Sequence, residues 1–231
     1  MNYKVNPGPH VEIVTTRDGS DTVCVPSLNE HYHSVFGAIN ESRHIFIAAG
    51  LNYVRKSLSV INILEVGFGT GLNALLTCLE TGSDQLVVNY TGIEYYPLSE
   101  DILSRLNYIE KIDNPDVATI FHQLHTSPWG QQTRINPYFS LMKIHGSVLD
   151  FPFQNAQFDL VYFDAFGPDV QPEMWAIDVF KNMASALKPG GVLVTYSTKG
   201  LVKRNLKEAG FVIEKLPGPA GKREILRAIL P

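Results

Sequence analysis

The chain has 231 residues, of which 45% are hydrophobic and 18% are charged, a composition typical of an ordinary soluble globular protein with a sizeable core. No stretch approaches the ~20 uninterrupted apolar residues of a membrane helix, and the first residues lack the apolar core of a signal peptide. The two cysteines, Cys24 and Cys78, have no metal-type spacing, so we expect a cytoplasmic chain with reduced thiols and no membrane contact.

The N-terminal part predicts a small accessory unit. Residues 11–25 alternate apolar and polar side chains on either side of Asp18-Gly19, which is the pattern of a β-hairpin. A helical pattern follows over residues 35–51. We therefore predict a hairpin and helical cap at residues 1–55, forming one compact unit with the domain at 56–231.

From residue 60 onward, strand-like and helix-like segments alternate, which predicts an α/β fold with a mostly parallel sheet. The predicted strands are 60–66, 86–93, 139–144, 158–163 and 191–196, and the predicted helices are 71–81, 98–109, 172–187 and 201–209. The last two apolar runs, 211–216 and 224–230, are joined by too few residues for a parallel crossover and should pair antiparallel. A seven-stranded sheet closed by an antiparallel last strand is the Rossmann-like arrangement of S-adenosylmethionine methyltransferases, whereas nicotinamide-binding folds finish in a parallel strand.

A glycine-rich turn follows the first predicted strand of this sheet. It reads Glu65-Val66-Gly67-Phe68-Gly69-Thr70-Gly71-Leu72-Asn73. Glycine reaches backbone angles closed to other residues and lets a ligand touch the main chain. The spacing is neither that of nicotinamide enzymes nor that of a phosphate loop, because no Gly-Lys-Ser/Thr follows. It resembles the first motif of S-adenosylmethionine methyltransferases, and a plain tight turn is the alternative.

Carboxylates end two further predicted strands. Glu94 closes the second strand, where a carboxylate accepts hydrogen bonds from ribose hydroxyls. Asp164 ends the fourth strand, at the edge where ligands bind in open α/β sheets, and could orient or deprotonate an amine. Phe166 offers an aromatic face to a base or a cation. The alternatives are a surface glutamate and a helix-capping aspartate.

Two segments leave alternatives open. Residues 29–34 hold Glu30, His31 and His33, which could suggest a metal, but no further ligand cluster has recognisable spacing. A polar lid over a cofactor is the better functional interpretation, and we expect no metal. Residues 112–138 interrupt the strand–helix rhythm and predict either a lid or binding loop or structural filler.

Charge is divided unevenly along the chain. Residues 181–231 contain ten Lys/Arg and three acidic residues (net +7), so residues 1–180 contain nine and twenty (net −11). Such a division indicates either one face suited to a polyanion or a solvated helix face with exposed lysines.

Several motifs together resemble one family over the chain from about Asp18 to its end. They are the glycine turn, the segment 163–168 (Phe-Asp-Ala-Phe-Gly-Pro), Pro-Glu-Met-Trp at 172–175, Gly-Gly at 190–191, Thr-Tyr-Ser at 195–197, 202–206, 209–211, and Gly-Lys-Arg-Glu at 221–224. This set is similar to the methyltransferase half of MnmC and its stand-alone counterpart MnmD. The resemblance implies N-methylation, dependent on S-adenosylmethionine (SAM), of 5-aminomethyl-2-thiouridine at the tRNA wobble position.

The same resemblance implies roles for particular residues, with tRNA as the partner and a monomer expected. Asp164 and Phe166 would face the acceptor amine, and Glu94 would hold the ribose. The family usually has an acidic residue after the glycine that follows strand three, where it helps place the adenine; this chain departs from it, with Ser147 after Gly146. The other residues expected to bind SAM are Glu65, Gly67, Phe68, Gly69, Thr70, Gly71, Asn73 and Asp164 itself. Those expected to contact tRNA phosphates are Lys203, Arg204, Lys222 and Arg223.

Three other classes of function stay open. A methyltransferase acting on another small-molecule or protein amine would share the SAM site. An aminopropyltransferase of the spermidine-synthase type has a similar fold. A non-catalytic SAM-binding module is the third, and the Asp164 segment argues against it.

Overall fold

A computed structural model describes residues 8–81 and 86–231. Its elements in chain order are β1 (Glu12–Thr15), β2 (Asp21–Val25), β3 (Glu30–His31), α1 (Ala38–Ser42), a π-helix (Arg43–Leu51), α2 (Asn52–Val54), β4 (Val60–Val66), α3 (Leu72–Thr81), β5 (Val87–Glu94), α4 (Glu100–Leu103), α5 (Tyr108–Lys111), α6 (Val117–Thr126), β6 (Gln132–Asn136), β7 (Phe139–His145), β8 (Phe158–Phe163), α7 (Ile177–Ala186), β9 (Leu187–Thr195), α8 (Gly200–Glu208), β10 (Val212–Pro217) and β11 (Glu224–Ile229). Short 3-10 helices lie at Pro26–Leu28 and Pro172–Trp175. Residues 1–7, part of the segment predicted to lack a signal peptide, lie outside the described residues.

The large sheet is mostly parallel. Among the described residues it has eight strands in the order β10-β11-β9-β8-β4-β5-β7-β6. Strands β9, β8, β4, β5 and β7 pair in parallel, and β11 and β6 pair antiparallel with their neighbours. The predicted α/β fold, N-terminal hairpin and antiparallel last strand are confirmed. The sheet exceeds the predicted seven strands because residues 132–136 pair with β7.

Each central strand contributes to two hydrophobic layers. In β8, Leu160 and Tyr162 pack on one side of the sheet against the helices formed by residues 38–54 and against α3. Val161 and Phe163 point to the other side, where α7 and α8 cover the sheet. This alternation is the period of two expected of a strand buried on both faces. The helix at 43–51 approaches the sheet closely, because a Cβ at Gly50 would lie 3.1 Å from Val194 Cγ2.

The predicted helix at 98–109 is wrong as a single element. It is two short helices, α4 and α5, separated by a turn. Asn107 in that turn accepts a hydrogen bond from Asp21 N at 2.9 Å and donates one to Gly19 O at 2.9 Å. The turn is therefore bonded to the N-terminal hairpin, a tertiary contact that helical periodicity does not contain.

Residues 112–138 contain regular structure, namely α6 and β6. No residue of this segment lines either of the cavities described below. Its geometry therefore gives no support to a lid, and it is more than filler, because it packs behind the glycine turn.

Candidate active site

A cavity of about 440 Å³ opens at the carboxyl ends of β4, β5 and β8. The order of the strands reverses there, since the chain runs outward from β4 first to β5 and later to β8. Ligands of open α/β sheets bind at such switch points. The predicted residues of the glycine turn that line the cavity are Gly67, Phe68, Gly69, Thr70 and Asn73. Those from other strand ends are Glu94, Ser147, Asp164 and Phe166.

The glycine turn needs glycine because other backbone and side-chain atoms approach it. Gly67 has φ of +89°, and a Cβ there would lie 2.7 Å from Asp164 O. Its N–H is held by Ile93 O at 3.0 Å, so the turn cannot move away easily. A Cβ at Gly69 would lie 2.8 Å from Tyr32 Cδ1. Side chains at these positions would push apart the elements that form the cavity.

The next residue of the turn, Thr70, is fixed from two directions. His33 Nε2 lies 3.0 Å from Thr70 Oγ1, and Tyr108 OH donates to the same oxygen at 3.3 Å. Burial lowers the pKa of His33 to about 4, so its imidazole is neutral at pH 7. His33 therefore serves as a hydrogen-bonding support of the glycine turn. Within the described residues no group of three or more metal-ligating side chains comes together.

Glu94 connects the turn to the end of β5. Its two carboxylate oxygens accept hydrogen bonds from Gly69 N at 2.9 Å and Tyr96 N at 2.8 Å. A carboxylate offers about four lone-pair positions, so acceptor capacity remains for hydroxyl groups of a ligand. Burial raises the pKa of Glu94 above its usual value, and the backbone donors oppose this.

Glu65 and Gly71, which the sequence predicts to contact the cofactor, do not line this cavity. Glu65 is fully buried and accepts a hydrogen bond from Asn73 Nδ2 at 2.9 Å. The same amide donates to Asp164 Oδ2 at 2.9 Å. Glu65 is therefore a positioning residue, because it orients the amide that holds Asp164. Burial raises the pKa of Glu65 well above its usual value.

Gly71 lies against residues 112–138, the segment that interrupts the strand–helix pattern of the sequence. A Cβ at Gly71 would lie 3.0 Å from the ring of His125 in α6. Phe68 packs edge-on against both His125 and Trp129, with centroids 6.0 and 6.2 Å apart. Lys143 Nζ donates to His125 O at 2.8 Å. Residues 112–138 therefore support the glycine turn from the side away from the cavity.

Asp164 is the carboxylate with the most unusual environment at the cavity wall. Burial, and then the negative charge of Glu41, raise its pKa to about 8, while Asn73 and Lys222 act in the opposite direction. At pH 7 the protonated form therefore predominates, and the carboxylate fraction grows as the pH approaches 8. Proton transfer is most efficient for a group with such a pKa.

The raised pKa of Asp164 predicts a pH-dependent stability. The unfolded pKa is near 3.8, so between about pH 4 and pH 8 the folded state binds more protons and the free energy of unfolding falls as pH rises. Asp164→Asn keeps an acceptor for Asn73 but removes the charge. From pH 5 to pH 8, the free energy of unfolding of the cofactor-free variant should rise relative to that of the wild type by on the order of 1 kcal/mol. Water in the cavity reduces this value. Urea unfolding at both pH values measures this; a constant difference contradicts it.

A second cavity, of about 230 Å³, lies on the other side of Asp164. Asp164, Ala165 and Phe166 line both cavities. Phe166 packs edge-on against Tyr32, with centroids 5.1 Å apart, and its carbonyl accepts from Trp175 Nε1 at 2.8 Å. The segment after β8 thus forms a wall shared by the two cavities.

The four basic residues expected to contact tRNA fall into two groups. Arg204 and Arg223 are exposed and Lys203 is half-buried, and these three have no ion-pair partner in the described part of the chain. Lys222 instead lines the second cavity and pairs with Glu41 at 3.4 Å.

Sequence reasoning also missed residues at the mouth of the first cavity. They are Tyr95, Tyr96, Asp150 and Met174. Tyr95 and Tyr96 directly follow Glu94, so their position next to a predicted ligand was the available signal.

The residues at the first cavity fit SAM. SAM is a sulfonium with an amino acid end and a ribose, and the wall offers acidic side chains from Glu94, Asp150 and Asp164. Gly67 and Gly69 line the cavity without a side chain, so a ligand can reach the main chain there. Glu94 retains acceptor capacity for a hydroxyl group of the ligand. In the described residues, no helix is both long and apolar enough to cross a bilayer.

Comparisons with known proteins agree with this site. Residues 116–231 match the model of a family described as S-adenosyl-L-methionine-dependent methyltransferase. The bifunctional tRNA 5-methylaminomethyl-2-thiouridine biosynthesis protein MnmC of Burkholderia multivorans is 30% identical over 223 residues, which cover 89% of this chain and 33% of that protein. The MnmC of Pseudomonas entomophila is 29% identical over 225 residues, covering 87% and 33%. The chain spans about a third of the length of these relatives.

Solved structures give the same result. The crystal structure of MnmC2 from Aquifex aeolicus is 27% identical, with a TM-score of 0.76, and covers 97% of this chain and 71% of that one. Spermidine synthase from Thermotoga maritima has a TM-score of 0.63 at 12% identity, covering 98% and 72%, and shares the fold alone. The resemblance to the methyltransferase half of MnmC is confirmed, and this chain belongs to the family of S-adenosyl-L-methionine-dependent methyltransferases.

Proposed function

We propose that this enzyme methylates the amino group of 5-aminomethyl-2-thiouridine at the wobble position of tRNA, giving 5-methylaminomethyl-2-thiouridine. Its relatives support this substrate, since MnmC proteins act in the biosynthesis of that product. One structural observation carries the proposal. A carboxylate with a near-neutral pKa, Asp164, lies between the cavity that fits SAM and a second cavity.

The chemistry assigned to Asp164 is proton acceptance. SAM supplies an electrophilic methyl group, so that an amine nitrogen forms the new N–C bond while sulfur keeps the electrons of the bond that breaks. The amine must be neutral to use its lone pair, and Asp164 takes its proton, either before or during transfer. Asn73 and Glu65 hold the carboxylate in place. Phe166 and Tyr32 form an apolar wall beside it that limits water. Most of the acceleration would come from alignment of nitrogen and methyl carbon.

The tRNA is proposed to lie over the edge of the sheet near α8. Lys203, Arg204 and Arg223 are the candidates for its phosphates, because their charges are available to a polyanion. Lys222 is engaged with Glu41. Fewer positive charges of the C-terminal third are available to a polyanion than its net charge indicates, since Lys199 is paired with Asp169 and Lys188 with Asp159.

We further propose that the enzyme is a cytoplasmic monomer. Its two cysteines are unpaired, which supports a reducing compartment. The division into residues 1–55 and 56–231 is also a proposal. Support for treating both as one unit comes from a hydrophobic cluster that joins Val23 and Phe46 to sheet residues such as Ile63.

The direct test is methyl transfer from labelled SAM to tRNA that carries 5-aminomethyl-2-thiouridine, followed by nucleoside analysis. The expected result is label in 5-methylaminomethyl-2-thiouridine. Label only in a small amine or a protein would favour another methyltransferase. Reaction only with decarboxylated SAM and a diamine would favour an aminopropyltransferase, the second candidate, with which the fold is shared. SAM binding without transfer to any acceptor would indicate a binding module.

Charge reversal on α8 separates a tRNA enzyme from one acting on small amines. Lys203→Glu with Arg204→Glu should weaken tRNA binding by about tenfold or more and reduce the salt slope of log K by about one to two, because two phosphate contacts are lost. Binding measured from 50 to 200 mM salt gives both values. Lys181→Glu, on the exposed face of α7, is the matched control. Unchanged tRNA affinity and slope would contradict the proposed surface.

A further inference from the structure

The second cavity contains a buried carboxylate, Glu41, that takes no part in the proton transfer assigned to Asp164. Glu41 lies in α1 and is 8% exposed. Its Oε2 accepts a hydrogen bond from Ser34 N at 2.7 Å, which fixes the side chain. Its Oε1 lies 3.4 Å from Lys222 Nζ. A buried carboxylate of this kind is stabilised by a cation, and here the cation is an ammonium group of the same chain.

The Lys222 ammonium lies in a site built for a cation. Its Nζ is 4.8 Å above the ring centre of Tyr196. The Tyr196 hydroxyl donates to Ala165 O at 2.8 Å, so the ring is fixed. An aromatic face and a carboxylate together are the usual surroundings of an ammonium ion. The Lys222 side chain is 28% exposed, and it comes from the turn between β10 and β11, so it can leave without disturbing the core.

The charges of the cavity favour a further cation. Glu30, Glu41 and Asp164 line it. Among the lysines and arginines of the described residues, Lys222 alone lines it. Glu30, Glu41 and the partly protonated Asp164 thus face one ammonium. Glu41 is distinguished from Glu30 by its burial, by its fixed geometry and by its effect on Asp164, whose pKa it raises. Glu41 is therefore electrostatically coupled to the group that accepts the proton.

We propose that Glu41 receives the ammonium group of the acceptor in the second cavity, and that the acceptor takes the position held by Lys222 in the substrate-free enzyme. This inference rests on the proposed function and adds the residue that selects a cationic acceptor. The order of events follows from the charges. The amine arrives protonated, exchanges with Lys222 at Glu41, and then passes one proton to Asp164, after which its nitrogen has a free lone pair. Lys222, once released, faces the tRNA and can pair with a phosphate.

The test compares two tRNAs that differ in the aminomethyl group alone. One carries 5-aminomethyl-2-thiouridine and the other carries 2-thiouridine, and the ratio of their dissociation constants is measured at pH 7 with S-adenosylhomocysteine present. The wild type should prefer the aminomethyl tRNA by about tenfold or more, the scale of a charge-assisted hydrogen bond. Glu41→Gln keeps an acceptor for Ser34 N and should lose most of this preference, with little change in affinity for the 2-thiouridine tRNA.

Two further variants make the result specific. Lys222→Met removes the competing ammonium and should increase the preference, even where the loss of a positive charge weakens binding of both tRNAs. A merely structural role of the pair would move both variants in the same direction. Glu110→Gln makes the same chemical change at an exposed position outside both cavities and should keep the wild-type ratio.

The outcomes separate this inference from the proposed function. Methyl transfer to the aminomethyl tRNA tests the proposed function, whereas the ratio of dissociation constants tests Glu41. An unchanged preference in Glu41→Gln, or no preference in the wild type, overturns the inference while leaving the transfer assay intact. If Glu41→Gln does not fold, as judged by circular dichroism, Lys222→Met decides alone, and an unchanged or reduced ratio overturns the inference.

Discussion

Asp164→Asn is expected to lower methyl transfer by about 10²- to 10⁴-fold at saturating SAM and acceptor, the range typical of a lost general base. The substitution keeps the size of the side chain and an oxygen that can accept from Asn73 Nδ2. It removes the one group on the wall between the two cavities whose pKa is raised to about 8. Single-turnover transfer with labelled SAM measures the chemical step, and Asp164→Ala should likewise bind SAM but lose transfer.

Two observations control this experiment. SAM affinity, measured by calorimetry, should change far less than the rate, because Glu94 and the glycine turn still line the cofactor cavity. Asp101→Asn makes the same change at an exposed position on α4 and should transfer methyl at the wild-type rate. Wild-type turnover in Asp164→Asn would remove the assigned role.

Gly67→Ala is expected to weaken SAM binding by about 100-fold and to lower the free energy of unfolding by about 1–3 kcal/mol. Two costs combine at this position. The residue has φ of +89°, which is unfavourable for alanine, and its Cβ would lie 2.7 Å from Asp164 O. To relieve the contact, the end of β4 and the end of β8 must separate, and these are the two strand ends that form the cofactor cavity. Calorimetric titration with SAM and urea unfolding measure the two effects.

Gly210→Ala is the matched control, because Gly210 also has a positive φ, +99°, but no atom lies within 4 Å of its added Cβ. It should show the backbone cost in unfolding and bind SAM as the wild type does. Equal SAM affinities in the two variants would show that the close approach at Gly67 does not form the cavity.

Glu65 shows that a motif can predict the cofactor class while its side chain lies behind the cavity wall. The acidic residue two places before the first glycine identified the cofactor class, which the family match confirms. Spacing along the chain cannot tell whether a strand residue points toward the cavity or behind it. The structure buries Glu65 completely, and it acts through Asn73 on Asp164. Motif position thus predicted the neighbourhood, and the direction of the side chain required the packed strands.

The sequence by itself determined the features that depend on local pattern. The alternation of strands and helices, the hairpin around Asp18-Gly19, the glycine turn and the antiparallel closing pair all follow from periodicity, turn chemistry and connection length. Glu94 and Asp164, which both line the first cavity, are predicted for the same reason, since a polar residue at the end of a buried strand is visible in the sequence.

Only the tertiary structure decided which distant residues meet. Lys222, which the sequence marks as a phosphate contact, is the partner of Glu41 inside the second cavity. His125, in a segment that interrupts the pattern, supports Gly71 from behind. Such contacts join residues far apart along the chain, and they form because the sheet brings strand ends together and because buried charges require partners. Neither cause leaves a periodic signal in the sequence.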